Sequence, residues 1–390
     1  MPVLSKALRC GLLAAGVGAL LAAAGCSTTD TFEQPAPVPE VSGGVEFDEV
    51  WDMSVGDGHD GSLLYLGPLN AGDTLYAASA DGDVVAVKTD NGSLVWEREL
   101  DDRIFAGVGG DAGHLYLVNR KAELIALSRD DGKELWRTAL PTEVLAAPQS
   151  NGSLVVVQTT DGRVLSFDTA KGERQWQYES TNPALSLRAA AAPLVGGDVV
   201  IASFANGKLI ALAADSGQPI WQYDVGEPSG RTELERLVDI TGQPLVLDRA
   251  LMVVGYQGKL ALIDIQTGRE VWSTKASSLY SPSVADGNIF LSLANGDLVS
   301  LQGSDRQELW RQDKLAWRQL TQPVVVGDHL VVGDFEGYLY AVSLKDGSLQ
   351  GETEFDDEGI RVPVQPLGDG KLLVYGNGGR LAVLKLQPSE

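Results

Sequence analysis

The chain has 390 residues and almost no thiol: its two cysteines, Cys10 and Cys26, both fall within the first 26 positions. Whatever folds beyond them can hold no disulfide, no thiolate metal site and no cysteine nucleophile. Histidine is nearly as scarce, with His59, His114 and His329 scattered and without a second ligand at metal spacing. No G-x-S-x-G elbow is present, so the usual hydrolase nucleophile is missing too. Basic charge is short, 30 Lys and Arg against 53 Asp and Glu for a net charge of −23. With no cationic cluster, that balance excludes electrostatic binding of nucleic acid. The one long apolar run, Gly11 to Ala24, is too short to cross a bilayer as a mature helix.

That run has a different meaning. Lys6 and Arg9 precede it, as in a secretory signal, and it ends in Leu21-Ala22-Ala23-Ala24-Gly25-Cys26. This ending resembles a bacterial lipobox, which implies that residues 1–25 are removed and that Cys26 carries acyl chains, palmitate among them. Ser27 and Thr28 follow, with no aspartate of the kind that retains lipoproteins at the inner membrane. The expected location is the periplasmic face of the outer membrane, held by lipid. Residues 26–46, with Pro35, Pro37, Pro39 and Gly43-Gly44, read as a flexible tether.

Glycine is plentiful, at 45 residues, and its placement is periodic. The unit is clearest in Val199 to Trp221: an apolar strand, Asn206-Gly207, a second strand, a turn ending at Gly217, and a third strand opened by Trp221. An Asn-Gly pair between alternating apolar runs is a strong hairpin signal, expected as a type I′ turn. The same landmarks recur along the chain. Small residues (Ala86, Ala126, Ser166, Ala211, Ser300, Ala341, Ala382) follow the first turn, and Leu262 breaks the series. Glycines 92, 132, 172, 217, 268 and 347 close the second turn. Tryptophans follow at Trp96, Trp136, Trp176, Trp221, Trp272 and Trp310, spaced by 38 to 51 residues. That period of meanders belongs to β-propeller blades.

The ends complete the count. Phe47 to Val55, carrying Trp51, reads as a fourth strand without its first three, and Lys371 to Leu386 supplies strands that stop before any tryptophan. Together they form one blade, giving an all-β, eight-bladed propeller over 47–386 whose last blade is closed by the N-terminal strand, with 387–390 as a tail. Closure of this kind leaves the ring without an open seam. The seven spaced tryptophans are expected to dock one blade on the next; repeat seven has Gly351 instead, and Trp317 lies off register beside Arg318.

Glycine-rich matches to dinucleotide-binding loops, Gly107 to Ala112 and Gly376 to Gly379, lack the strand-then-helix context and are turns. No catalytic set and no cofactor or metal ligands emerge. Two connections stand out, because they fall in the longest tryptophan spacings: Pro183 to Arg188, and Thr232 to Asp239. Thr232 and Glu235 form a capping-box signature, and Leu234, Leu237 and Val238 have helical spacing, so a helix of one to two turns is expected there.

The repeat A-x(5)-G-x(3)-W resembles that of the quinoprotein dehydrogenases over roughly residues 47–386, and fold alone carries no chemistry. With the lipobox, short tether and lack of added domains, the chain more closely resembles the propeller lipoproteins of the Gram-negative outer-membrane β-barrel assembly (Bam) machinery. That resemblance implies a non-enzymatic scaffold. Its partners would be a BamA-like barrel protein, touched by Leu185, Leu187, Arg188 and Asp239, the other Bam lipoproteins, and unfolded outer-membrane proteins at exposed strand edges. It would also place a further acid two positions after Asp239, where this chain has Thr241. A quinone-dependent oxidoreductase and a cell-wall-binding lipoprotein remain the alternatives.

Overall fold

The computed structural model describes residues 33–41, 44–187 and 191–389. The chain divides into two compact units, Met1–Pro35 and Ala36–Glu390; the signal sequence and Cys26 lie outside the described residues. In the second unit every described element is a β-strand, and all but Tyr65–Leu66, which adds in parallel to Ile104–Gly110, are arranged as eight antiparallel meanders. Blades 1 to 7 cover 69–99, 104–139, 149–179, 194–224, 245–275, 283–312 and 324–354. Blade 8 is made of Gln365–Gly368, Lys371–Tyr375, Arg380–Pro388 and, as its outer strand, Val45–Ser54. The closing strand runs antiparallel to Arg380–Pro388, pairing Val45 with Pro388 and Ser54 with Arg380. The expected closure is therefore present, and it reaches two residues further at each end than the sequence indicated.

The hydrophobic core is divided into wedges between neighbouring blades. Ile201, Leu209, Leu251 and Ile263 pack between blades 4 and 5, and Phe290, Leu298, Leu330 and Tyr340 between blades 6 and 7. The middle two strands of each blade are buried on both faces, so the runs expected to alternate are in fact continuously apolar. The outer strands alternate, because one face meets the neighbouring blade and the other meets water.

Tryptophan docking is a specific joint. The Trp51 indole donates to the Thr89 carbonyl of the next blade at 3.1 Å, Trp96 to Arg129 at 3.1 Å, and Trp136 to Thr169 at 2.9 Å. Trp176 donates to Ala214 at 2.7 Å, Trp221 to Ile265 at 3.0 Å, and Trp310 to Leu344 at 3.0 Å. The turn glycine of the receiving blade lies flat on the ring: a Cβ on Gly217 would sit 2.5 Å from Trp176 Cε3, and its φ of +67° already disfavours any side chain. Across the strand pair, Ala86, Ala126, Ser166, Ala211 and Ser300 stand opposite their own blade's tryptophan, so they are small because an indole lies alongside. Blade 5 departs in both respects. Leu262 faces Trp272, and the receiving turn carries Arg306 at φ +63°, with its guanidinium 5.1 Å from the Trp272 ring centroid.

Blade 7 lacks its tryptophan for a geometric reason. At Gly351 a Cβ would come within 2.4 Å of the Val45 carbonyl oxygen, so the incoming closing strand fills the indole's place. Blade 8 also has no third-to-fourth-strand turn to receive an indole, because the chain's two ends meet there, with Ser389 N donating to Gly44 O at 3.1 Å.

Two expectations need correction. At Asn206-Gly207 only the glycine is left-handed, φ +77°, and Gly207 N bonds Phe204 O at 3.1 Å; the turn is the type I plus glycine-bulge form, not type I′. The expected flexible tether is in part an ordered strap. Ala36 N donates to Ala316 O at 2.9 Å, Val38 packs against the wedge between blades 6 and 7, and Arg318 Nη1 donates to Ala36 O at 2.7 Å.

Candidate docking surface

Connections from each outer strand to the next inner strand all emerge on one face of the ring. The connection between blades 3 and 4 begins at Ser180, where Asn206 Nδ2 donates to Thr181 O at 2.8 Å, and Asn182 Nδ2 donates to Thr160 O at 2.8 Å. Leu187 N donates to Asp239 Oδ2 at 3.1 Å. Pinned at Asn182 and Leu187, residues 183–186 form an arch, with Leu185 38% exposed and Leu187 half-buried. Arg188 lies outside the described residues.

Asp239 is only 1% exposed. It sits between Val238 and Ile240, both buried, and its backbone oxygen accepts from Tyr256 N at 2.7 Å. Burial pushes its carboxyl up to about 6, against the opposing pull of the Leu187 and Ile240 amides. The structure thus joins Leu187 to Asp239, but with Asp239 as an interior support of the arch and not as an exposed charge. An acid between two aliphatics in Val238-Asp239-Ile240 is the sequence signal that points to this.

The neighbouring connection holds the capping box but not the helix. Glu235 N donates to Thr232 Oγ1 at 3.2 Å, and Glu235 Oε2 accepts from Thr232 N at 3.2 Å and Arg231 N at 2.6 Å. One helical bond follows, Arg236 N to Thr232 O at 3.1 Å, and the chain then extends so that Leu237 and Val238 can tuck beneath the loop. Leu234 is left 70% exposed on the capped turn. Thr241 is turned inward, its hydroxyl donating to the Leu279 carbonyl.

The other off-register pair separates. Trp317 is 41% exposed, whereas Arg318 is 1% exposed and spends its donors on Asp334 at 2.6 Å, Glu336 at 2.5 Å and the strap. Arg318 is therefore unavailable to a partner.

At the ring's centre, the inner strands enclose a cavity of about 420 Å³. Its described walls are amides, hydroxyls and small apolar groups, among them Gln243, Gln322, Gln365, Thr241 and Tyr280, with no carboxylate or cation among the described lining residues. A calcium-bound quinone carrying several carboxylates would need both, so these residues do not fit that cofactor. The amides instead stitch neighbouring blades: Gln365 Nε2 donates to Pro68 O at 2.7 Å, and Gln243 Nε2 to Ala192 O at 3.2 Å.

A closed ring of eight four-stranded blades, joined by indole docking and carrying supported loops on its connection face, defines the chain as a β-propeller. A family model described as outer membrane protein assembly factor BamB matches residues 48–106 and 80–312. The chain is 64% identical over 390 residues to outer membrane protein assembly factor BamB of Marinobacter adhaerens, covering 100% of both chains. It is 39% identical over 369 residues to that of Pseudomonas aeruginosa, covering 94% of this chain and 97% of the relative. The crystal structure of BamB from Moraxella catarrhalis superposes with a TM-score of 0.78 at 27% identity, covering 87% of this chain and 100% of that one. The quinohemoprotein alcohol dehydrogenase of Comamonas testosteroni, with a TM-score of 0.68 at 12% identity, shares the fold alone. The chain belongs to the BamB family of outer membrane protein assembly factors.

Proposed function

We propose that this protein is a non-enzymatic scaffold lipoprotein of the outer-membrane β-barrel assembly machinery. It docks on a BamA-like barrel protein and works with the other Bam lipoproteins, supporting insertion of barrel proteins. Its anchor is acylated Cys26, and it lies on the periplasmic face of the outer membrane. The observation that carries the docking reading is the arch 183–187, whose exposed Leu185 is held in place by the buried Asp239 through the Leu187 amide. A supported loop presenting an apolar side chain loses little entropy on binding, which suits an interface anchor. Family membership supports the same partner. Extended, unfolded barrel substrates have a second surface available: the outer strands, where Val50, Val95, Leu135, Ile220, Val271 and Leu309 are 40–60% exposed on sheet edges open to strand addition.

The test pairs two readouts on the same variants. Arg188→Glu, or Leu185→Ala with Leu187→Ala, is expected to abolish co-purification of the barrel partner from detergent-solubilised outer membrane while the melting temperature stays nearly unchanged. Trp221→Ala lowers both together. Patch variants that keep the partner, or lose it only in step with stability, overturn the docking reading. Cys26→Ala is expected to remove the acyl mass and release the protein to the soluble periplasm.

A further inference from the structure

The strap and Trp317 occupy one corner of the connection face, between blades 6 and 7. Trp317 and Gln319 both adopt left-handed backbone, φ +63° and +49°, and flank Arg318. That conformation is costly for a bulky residue and persists only where the surroundings enforce it. Here Trp317 N donates to Asn295 O at 2.8 Å, and the turn at Gly296 lies so close that a Cβ would be 2.4 Å from Trp317 N. The backbone is over-determined, so Arg318 is driven inward and the indole of Trp317 outward, 41% exposed. The strap bonds Ala316, the residue next to that indole. The strap therefore passes beside Trp317 at Ala36, the first residue of the second unit. Nine residues, 27–35, separate Cys26 from Ala36 and reach at most roughly 30 to 35 Å fully extended.

We infer that Trp317 is a membrane-surface contact: an interfacial indole that rests on the zwitterionic headgroup layer beside the strap. The inference rests on Cys26 being the anchor. Tryptophan suits that layer, because its ring is apolar and its N–H finds partners there. The exposed neighbours Asp313 and Lys314 balance each other locally, while the chain's charge of −23 disfavours an anionic surface. The tether holds the indole at high effective concentration near the bilayer, so one aromatic contact suffices to orient the ring.

The test uses the full mature chain, whose single thiol is Cys26, coupled through that thiol to a maleimide phospholipid in phosphatidylcholine vesicles. Anchoring then does not depend on cellular acylation, which the acyl mass of the natively expressed protein decides separately. Tryptophan emission is compared in vesicles with and without brominated acyl chains. The expected result is bromine quenching that Trp317→Phe removes and that Ala36→Pro, which deletes the strap's donor to Ala316, weakens. Equal quenching in wild type and Trp317→Phe, or no quenching of vesicle-bound wild type, overturns the inference. Unaltered quenching combined with loss of the barrel partner in Trp317→Phe assigns the indole to protein docking and overturns it as well.

Discussion

Replacing Asp239 with asparagine separates support of the docking arch from contact with a partner. Asparagine keeps an oxygen that can accept from Leu187 N but cannot ionise. In the folded protein the Asp239 carboxyl titrates at about 6, against an unfolded value of 3.8, because it is buried. A raised carboxyl pKa means that the folded state holds the proton more tightly, so stability is present in full below pH 3.8 and falls as pH rises through 6. A shift of roughly two units corresponds to at most about 3 kcal/mol lost by pH 7. Asp239→Asn removes that loss: its stability relative to wild type should be near zero at pH 4 and rise toward this figure at pH 7. Urea unfolding at a series of pH values reads the difference directly. Partner co-purification should survive in Asp239→Asn and fail in Asp239→Ala, which leaves the Leu187 amide without its acceptor. An Asp239→Asn variant that is less stable at pH 7, or that loses the partner as fully as Asp239→Ala, would refute the assignment of Asp239 as an interior support.

His59 supplies the opposite slope: its imidazole is 1% exposed and depressed to about 4, so stability should fall as pH drops from 6.5 to 4, and Asp239→Asn should uncover that dependence in urea titrations. Truncations report the strap: deleting 27–43 should cost about 1 to 3 kcal/mol by removing the acceptor of a buried arginine, and deleting 27–55 should cause aggregation through the bared edge of Arg380–Pro388. Gly217→Ala should lose about 2 to 4 kcal/mol in urea unfolding, from a clash with Trp176 and an unfavourable φ, whereas Arg306→Gly in the irregular joint should be tolerated.

The ring was legible in the sequence because most joints use the same three residues at the same spacing: a small residue, a left-handed glycine and an indole. Even the missing eighth tryptophan was visible, although its cause, the Val45 backbone at Gly351, required the closed ring. Turn type was not legible, because Asn-Gly serves both type I′ and type I with a glycine bulge. The arch was found as an excess of chain length. That Asp239 supports it from inside depends on a hydrogen bond spanning 52 residues, which no local pattern reports. The strap escaped notice for the same reason: proline-rich composition reads as linker, and its order comes from an arginine 282 residues away.

The closing strand gives the ring a mechanical polarity. Tension on the N-terminal end would load the Ala36 bonds to Ala316 and Arg318 before Val45–Ser54, the strand that locks blade 8. The strap therefore acts as a strain relief. Pulling that detaches the strap is absorbed without opening a seam, and the ring stays shut until the force exceeds what the ladder between Val45–Ser54 and Arg380–Pro388 can bear.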